Sequence, residues 1–350
     1  MGPLGRDRSF NRPESGQATA ELGLTFESPG RIFPSRPIRR SLAAEALRDV
    51  LAASIGCVWL VFAAATDARS PEAMAVRISQ RIGEALADRR VDTSAKWPGG
   101  VSRGLRETFK ETVGAVPFVI SKDSFGSSVV VHIDTEKRAG LLVTNEHVVV
   151  SPFLSDDQKT RFVVLLFYEA SLAANVFDRA RVVRCLSTPD SSAWCSSLRS
   201  VTRVGVVVAN DPGRDLALLH VQDLPQSARS IAIGRVDSIS PGDEVVVIGH
   251  PVGLLWSLTT GIISGVRSNF RISASATEST VLQTQTPVNP GNSGGPLLTI
   301  DGRLIGIIFG SRTVSASQSA HGDVKVVAPG LNFAVAVNEV QGFLSRNSAR

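Results

Sequence analysis

The chain carries a short glycine-rich stretch at residues 290–296, which reads Pro290-Gly291-Asn292-Ser293-Gly294-Gly295-Pro296. Glycine tolerates backbone angles that other residues avoid, and proline restricts φ on either side. Such a loop suits the presentation of one hydroxyl on a tight turn, with backbone N–H groups directed into the same space. A nucleophile and donors for the developing oxyanion are the two requirements of acyl transfer. An ordinary surface turn has a similar composition, so this stretch alone leaves both interpretations open.

Two further segments supply the partners that a serine nucleophile needs. A serine hydroxyl requires a base to take its proton and a third group to orient that base. His147 lies where an apolar run turns polar, within Leu141-Leu142-Val143-Thr144-Asn145-Glu146-His147-Val148-Val149. Asp215 directly precedes an apolar run, within Gly213-Arg214-Asp215-Leu216-Ala217-Leu218-Leu219, so we expect it to be partly buried at a strand start. The order along the chain is histidine, aspartate, serine, as in the chymotrypsin-like fold.

These three segments resemble the trypsin-like serine endopeptidases, and most of all the bacterial HtrA/Deg group. Residues 144–149 resemble that group's TNxHVV, residues 215–219 its D-[IL]-A-[VL]-[LI], and residues 289–297 match its NPGNSGGPL. The resemblance covers residues 113–345 and implies an all-β protein of two six-stranded Greek-key barrels with the active site between them. The group commonly carries a C-terminal PDZ module of about 90 residues, a domain in itself. The residues after 344 leave no room for one, so we expect none.

The resemblance also implies a role for each residue of the site. Ser293 would attack a peptide carbonyl, His147 would take and return the proton, and Asp215 would orient His147. The backbone N–H groups of Gly291 and Ser293 would form the oxyanion hole. No cofactor is implied, and we find no cluster with metal-ligand spacing. We expect an endopeptidase that acts on protein or peptide substrates in cell-envelope quality control or processing, with a homo-oligomer left open.

The residues around the serine bear on the side chain that precedes the cut. An acid six residues before the serine would mark a preference for Arg or Lys, and that position is Pro287. We therefore expect a pocket for small or medium apolar residues. Its walls would come from Pro287, Val288, Ile308, Phe309 and Phe333.

Short apolar runs separated by turn signals dominate the chain from residue 116 onward, which is typical of β-barrels or sandwiches. A last helix is expected at residues 338–344. Residues 311–329 form a serine-rich insertion, which we interpret as a mobile loop near the specificity pocket.

The N-terminal third differs in composition. Residues 1–45 are expected to form a disordered basic leader. Residues 46–68 contain 16 uncharged residues at 50–65, which as a helix would span about 24 Å, less than the ~30 Å hydrocarbon core. A secretory signal peptide, an uncleaved membrane anchor and a buried soluble helix all remain open. The first two predict a periplasmic or secreted protein, or one anchored to the inner membrane. Residues 69–112 are expected to form a helical extension before a protease domain at 113–345.

Charge and cysteine content narrow the function further. Only six of the 37 basic residues are lysines, and no basic stripe interleaves with aromatic residues, so we expect no nucleic-acid partner. Cys185 and Cys195 are flanked by apolar runs that suggest a β-hairpin, which would bring the sulfurs together in a disulfide. Two free buried thiols are the alternative.

Two rival classes of protein remain. Residues 291–295 also match the G-x-S-x-G nucleophile elbow of α/β-hydrolases, but that fold places its acid and histidine after the serine. A latent or non-catalytic binding protein on the protease fold is the stronger rival, since loop geometry is not visible in a sequence.

Overall fold

The computed structural model describes residues 104–155, 158–272, 276–316 and 324–348. The expected leader, the apolar segment at 50–65 and residues 69–103 of the expected helical extension lie outside these ranges. Within them, no helix combines the length and the apolar character that a membrane span requires.

Six α-helices and fourteen strands lie in the described ranges. The helices are α1 Leu105–Thr112, α2 Glu146–Val149, α3 Ala170–Ala173, α4 Arg179–Ser187, α5 Ala193–Val201 and α6 Val337–Ser348. The strands are β1 Phe118–Ile120, β2 Phe125–Ser127, β3 Val129–Asp134, β4 Ala139–Thr144, β5 Phe153–Leu154, β6 Arg161–Leu166, β7 Thr202–Asp211, β8 Leu216–Val221, β9 Glu244–Gly249, β10 Ser257–Phe270, β11 Ser279–Thr284, β12 Pro296–Thr299, β13 Leu304–Ala316 and β14 Val324–Ala336.

The strands form two antiparallel sheets. The first has the order β2-β1-β6-β7-β8-β4-β3, with β5 paired to β6, and the second is a closed barrel with the order β10-β11-β14-β13-β12-β9. The trypsin-like, all-β architecture predicted from the sequence is confirmed, and the second barrel has the expected six strands. The first sheet differs from the expected six-stranded barrel: it has eight strands, of which β1, β2 and β5 are only two or three residues long.

The core is continuous between the two sheets. One hydrophobic cluster contains Leu142 and Leu219 of the first sheet together with Ile248 and Val335 of the second. A separate cluster, which includes Val247, fills the inside of the closed barrel. The two sheets therefore share one packed interface, along which α2, β2 and the loop at residues 289–296 lie.

Helices close both ends of the protease-like region. Helix α1 and the last helix, α6, were both expected from the sequence, the latter over a shorter range. The Thr108 hydroxyl of α1 donates a hydrogen bond of 2.5 Å to the carbonyl of Ile300, which follows β12. The N-terminal helix is thus fastened to the second barrel.

The hairpin predicted around Cys185 and Cys195 is wrong. The two cysteines lie on helices α4 and α5, within the connection between β6 and β7, and a disulfide joins them with Cα atoms 5.2 Å apart. Both helices have side-chain caps at their start: the Asp178 carboxylate accepts from the Arg181 N–H, and the Ser192 hydroxyl accepts from the Cys195 N–H. Such caps satisfy N–H groups that a helix leaves free, and they favour helix over strand here.

The mobile loop predicted at residues 311–329 also needs correction. The backbone continues β13 and β14 as a paired hairpin, with Thr313 opposite Val327 and Ala316 opposite Val324. Residues 317–323, at the tip, lie outside the described ranges.

Candidate active site

His147 lies on the short helix α2, directly after β4, and its ring is held by Asp215. The Asp215 carboxylate accepts a hydrogen bond of 2.7 Å from His147 Nδ1 through Oδ2 and one of 2.9 Å from the His147 backbone N–H through Oδ1. Burial by itself lowers the pKa of His147. The charge and hydrogen bond of Asp215, with a smaller contribution from Glu146, outweigh this effect and raise the pKa above its ordinary value of 6.5.

Asp215 is 8% exposed and lies directly before β8, as the apolar run after it predicted. Its backbone has φ of +53°, in the left-handed region that aspartate tolerates better than most residues. The Asn145 side-chain amide donates a hydrogen bond of 2.8 Å to the Asp215 carbonyl. Asn145 immediately precedes α2, so this bond couples the aspartate to the helix that carries His147.

The loop at residues 289–296 begins with a tight turn. The Asn292 N–H donates to the Asn289 carbonyl at 3.0 Å, and Gly291, the third residue of the turn, has φ of +102°. A turn with proline second and a positive φ third corresponds to type II, which requires glycine or asparagine at the third position. A Cβ atom on Gly291 would lie 2.1 Å from the His250 carbonyl oxygen, so close approach also requires glycine there.

The carbonyl groups of this loop are held from outside. The Pro290 carbonyl accepts from the Val252 N–H at 2.6 Å, and the Ser293 carbonyl accepts from the Ser127 N–H at 2.8 Å. Because a trans peptide group is planar, the Gly291 N–H points away from the bonded Pro290 carbonyl. The Gly291 and Ser293 N–H groups make no hydrogen bond with any described residue, so they are available to a ligand.

The Ser293 side chain lies 5% exposed between these donors and β13. Its Oγ donates a long hydrogen bond of 3.5 Å to the Phe309 carbonyl. Among the described residues, Ser293 and His147 share no hydrogen bond. The loop is fixed to β13 on its other side, since the Gly294 N–H donates to the Ile308 carbonyl at 2.8 Å.

The residues expected to line a specificity pocket divide into two groups. The rings of Phe309 and Phe333 stack with centroids 6.2 Å apart, and both belong to the hydrophobic cluster that spans the two sheets. The Ile308 side chain is fully buried inside the closed barrel, and Val288 packs against that same interior. Successive residues of a strand face opposite sides, so Ile308 and Phe309 do not line the same surface, and the pocket itself stays a prediction. Pro287 is exposed at the rim.

The sequence patterns assigned no functional role to Ser127 or His250. The Ser127 hydroxyl donates to the Gly291 carbonyl at 2.7 Å and lies 2.8 Å from His250 Nδ1. Ser127 and Gly291 are 164 positions apart, and no motif marks either Ser127 or His250.

A two-sheet fold with a paired histidine and aspartate on one sheet, and a serine loop on the other, defines the trypsin-like class of serine peptidases. The chain belongs to the family described as the trypsin-like peptidase domain, whose profile matches residues 126–307.

Named relatives agree with this class. The chain is 37% identical over 143 residues to "Protease Do-like 1, chloroplastic" of Arabidopsis thaliana, covering 40% of this chain and 30% of that protein. It is 35% identical over 139 residues to "Serine protease Do-like HtrA" of Bacillus subtilis, covering 39% and 28%. It is 40% identical over 106 residues to "Probable periplasmic serine endoprotease DegP-like" of Marinomonas, covering 30% and 21%. The chain thus spans less than a third of the length of these relatives.

Solved structures are similar at lower identity. "HtrA-type protease AlgW with tripeptide" is 24% identical, with a TM-score of 0.45, over 69% of this chain and 64% of that one.

Proposed function

We propose that the protein is a serine endopeptidase in which Ser293, His147 and Asp215 act as a catalytic triad. The observation that carries this proposal is the double hold of Asp215 on His147, through both ring nitrogen Nδ1 and the backbone N–H. This hold commits Nδ1 as a hydrogen-bond donor and leaves Nε2 unprotonated, which is the form a general base requires.

The proposed reaction has two stages. Ser293 Oγ forms a bond to the peptide carbonyl carbon while its proton passes to His147 Nε2. The C–N bond then breaks, and His147 gives that proton to the leaving amine, which leaves an acyl-enzyme. Water attacks the ester in the second stage, His147 takes a proton from the water, and returns it to Ser293 as the carboxylic acid departs.

The N–H groups of Gly291 and Ser293 are proposed to stabilise the oxyanion of both stages. Both are free of acceptors among the described residues and belong to the loop at residues 289–296. Loss of one such donor typically costs about 10²–10³ in rate. The proposed mechanism therefore requires that the loop keep both N–H groups in place.

The substrate class is proposed to be protein or peptide with a small or medium apolar residue before the cut. Phe309, whose carbonyl accepts from Ser293 Oγ, stacks on Phe333, and Pro287 and Val288 lie shortly before the serine in sequence. A peptide library cleaved chiefly after Arg or Lys would contradict this preference.

A latent form of the same enzyme is the second candidate. The contact of Ser293 Oγ with the Phe309 carbonyl, in place of one with His147, favours it. Catalytic hydrogen bonds are commonly long before substrate binds, so the two candidates differ in whether substrate alone brings Ser293 Oγ to His147. Activity that appears only after a ligand or partner is added would identify the latent form.

Fluorophosphonate labelling of the full chain, located by peptide mass, tests the proposal. We expect labelling confined to Ser293, lost in Ser293→Ala and strongly slowed in His147→Ala. Exposed serines of the same chain, such as Ser240, serve as the internal control, because any label on them reports non-specific reaction. A folded wild-type protein that stays unlabelled, with and without a casein substrate, would refute an active endopeptidase.

The cellular role is proposed to be protein quality control or processing in the cell envelope, in the periplasm or outside the cell. The disulfide between Cys185 and Cys195 suits an oxidising compartment, and one similar protein is named periplasmic. Fractionation, with mass spectrometry of the mature N-terminus, separates a cleaved signal peptide from an uncleaved anchor. An intact N-terminus in the soluble cytoplasmic fraction would exclude both.

A further inference from the structure

The Ser127 hydroxyl joins the first sheet to the loop that carries Ser293. It donates to the Gly291 carbonyl at 2.7 Å, and the Ser127 backbone N–H donates to the Ser293 carbonyl at 2.8 Å. Ser127 therefore holds the two carbonyl groups that flank Asn292. The Ser127 carbonyl accepts a hydrogen bond of 2.7 Å from the Thr144 hydroxyl, so Ser127 is itself bonded to the end of β4.

The contact between Ser127 Oγ and His250 Nδ1 has only one possible donor. A serine hydroxyl has one hydrogen, which Ser127 gives to Gly291. His250 Nδ1, 2.8 Å from Ser127 Oγ, must then donate to that oxygen. The chain of bonds runs from His250 Nδ1–H to Ser127 Oγ–H to the Gly291 carbonyl.

The surroundings of His250 leave its ring one hydrogen bond, the one to Ser127. The side chain is fully buried, and its ring packs against Phe118 and Trp256 with centroids 4.8 and 5.5 Å away. Burial lowers the pKa of His250 to about 3, so the ring stays neutral at ordinary pH. Nε2 is buried without a hydrogen-bond partner among the described residues, which leaves Nδ1 as the ring's polar contact.

Glycine gives the loop its freedom, so contacts from outside must choose its conformation. Gly291 can populate positive and negative φ with little difference in energy. A peptide group that turned over would direct a carbonyl, rather than an N–H, toward the reacting centre. The bonds to Pro290 and Gly291 carbonyls oppose this change from opposite ends of Gly291.

We propose that His250 is a positioning residue that acts through Ser127: it fixes the Ser127 hydroxyl, which holds the Gly291 carbonyl and keeps the Gly291 N–H directed at the substrate. The inference rests on the proposed endopeptidase activity. It assigns to two residues outside the triad the task of maintaining the oxyanion hole, and predicts that they affect the tetrahedral state more than substrate binding.

Three substitutions in the full chain separate the steps. Ser127→Ala removes the hydroxyl that holds Gly291. His250→Leu removes the Nδ1 donor, and His250→Asn restores a donor, because the asparagine amide nitrogen is as many bonds from Cβ as Nδ1 is. Ser128→Ala is the matched control: its buried hydroxyl donates to the Pro117 carbonyl at 3.2 Å and makes no contact with the loop.

Each variant is compared with wild type in four measurements: melting temperature, kcat and KM on fluorescent casein, and affinity for a valine-terminated peptide boronate, which forms a tetrahedral adduct with the serine. We expect Ser127→Ala to lower kcat and boronate affinity by about 10- to 100-fold with KM nearly unchanged. His250→Leu should lower both in the same sense, and His250→Asn should recover most of the loss. Ser128→Ala should lower only the melting temperature.

The double variant decides whether His250 works through Ser127. In the Ser127→Ala background, His250→Leu should add no further loss of kcat, because the hydroxyl that His250 positions is already absent. Additive losses would overturn the inference, as would unchanged kcat and boronate affinity in folded Ser127→Ala. Should Ser127→Ala not fold, equal kcat in folded His250→Leu and His250→Asn would overturn it. An inactive wild type would instead refute the proposed function.

Discussion

Replacement of Asp215 by asparagine tests the site most directly, because one atom changes and the two bonds to His147 respond in opposite ways. The His147 backbone N–H can only donate, so it requires the amide oxygen. The amide NH₂ then faces His147 Nδ1, which must become an acceptor, and the ring proton moves to Nε2. In that tautomer Nε2 cannot take the proton of Ser293.

The opposite amide orientation keeps the productive tautomer but sets the NH₂ against the backbone N–H. An unsatisfied buried donor costs about 1–3 kcal/mol, so the productive form falls by about 5- to 150-fold in population. The variant also loses the negative charge that stabilises the imidazolium. Together we expect kcat to fall by about 10⁴, the loss found when the aspartate of a triad becomes asparagine.

The assay is casein hydrolysis by full-length Asp215→Asn between about pH 5 and 9, with the melting temperature as a check of folding. Asp211→Asn is the matched control, since it removes a nearby carboxylate, at the end of β7, that pairs with Arg214 and Arg346 instead of His147. We expect it to retain wild-type kcat. A folded Asp215→Asn variant with kcat within about tenfold of wild type would refute the reasoning.

Three further predictions concern the pH dependence, the serine loop and the disulfide. The pKa of His147 is raised, so kcat/KM of wild type should fall as the pH drops through a value above 6.5. In Asp215→Asn, the acidic limb of any residual activity should shift to lower pH. A wild-type limb below 6.5 would contradict the stated cause. Gly294→Ala should abolish labelling of the serine and lower the melting temperature, because its Cβ would lie 2.1 Å from the Ser127 carbonyl oxygen at a φ of +83°; a fully labelled, stable variant would contradict the close approach. Reduction of the disulfide, which links residues 10 apart, should cost about 3 kcal/mol of unfolding free energy and lower the melting temperature by about 6–12 °C; an identical transition in reductant would show that the bond adds nothing.

Local sequence patterns were sufficient to predict most strands, the tight turn before Ser293 and the burial of Asp215. The alternation of apolar runs and turn signals predicted the strands, because a strand's side chains face opposite sides in turn. The glycines and prolines around Ser293 predicted a tight turn because they select backbone angles that few other residues accept. Asp215 ahead of an apolar run was expected to be partly buried, and its carboxylate is.

Two features were not predicted, and only one of them depends on distant residues. The apolar runs beside Cys185 and Cys195 fit strand or helix, and the caps at Asp178 and Ser192, each three residues before its N–H donor, favour helix. The side of the barrel that Ile308 faces follows from the strand's registration in the closed sheet, which its own neighbours in sequence do not reveal.

The sequence by itself therefore determined the identity of the chemical groups, while the tertiary structure decided how they are held. A motif is local, and the energies that shape it act between neighbours along the chain. The bonds from Ser127 to Gly291 and from His250 to Ser127 cross 164 and 123 positions, and they exist only because two sheets pack face to face. Their strength depends on burial and distance, and both are properties of the folded chain.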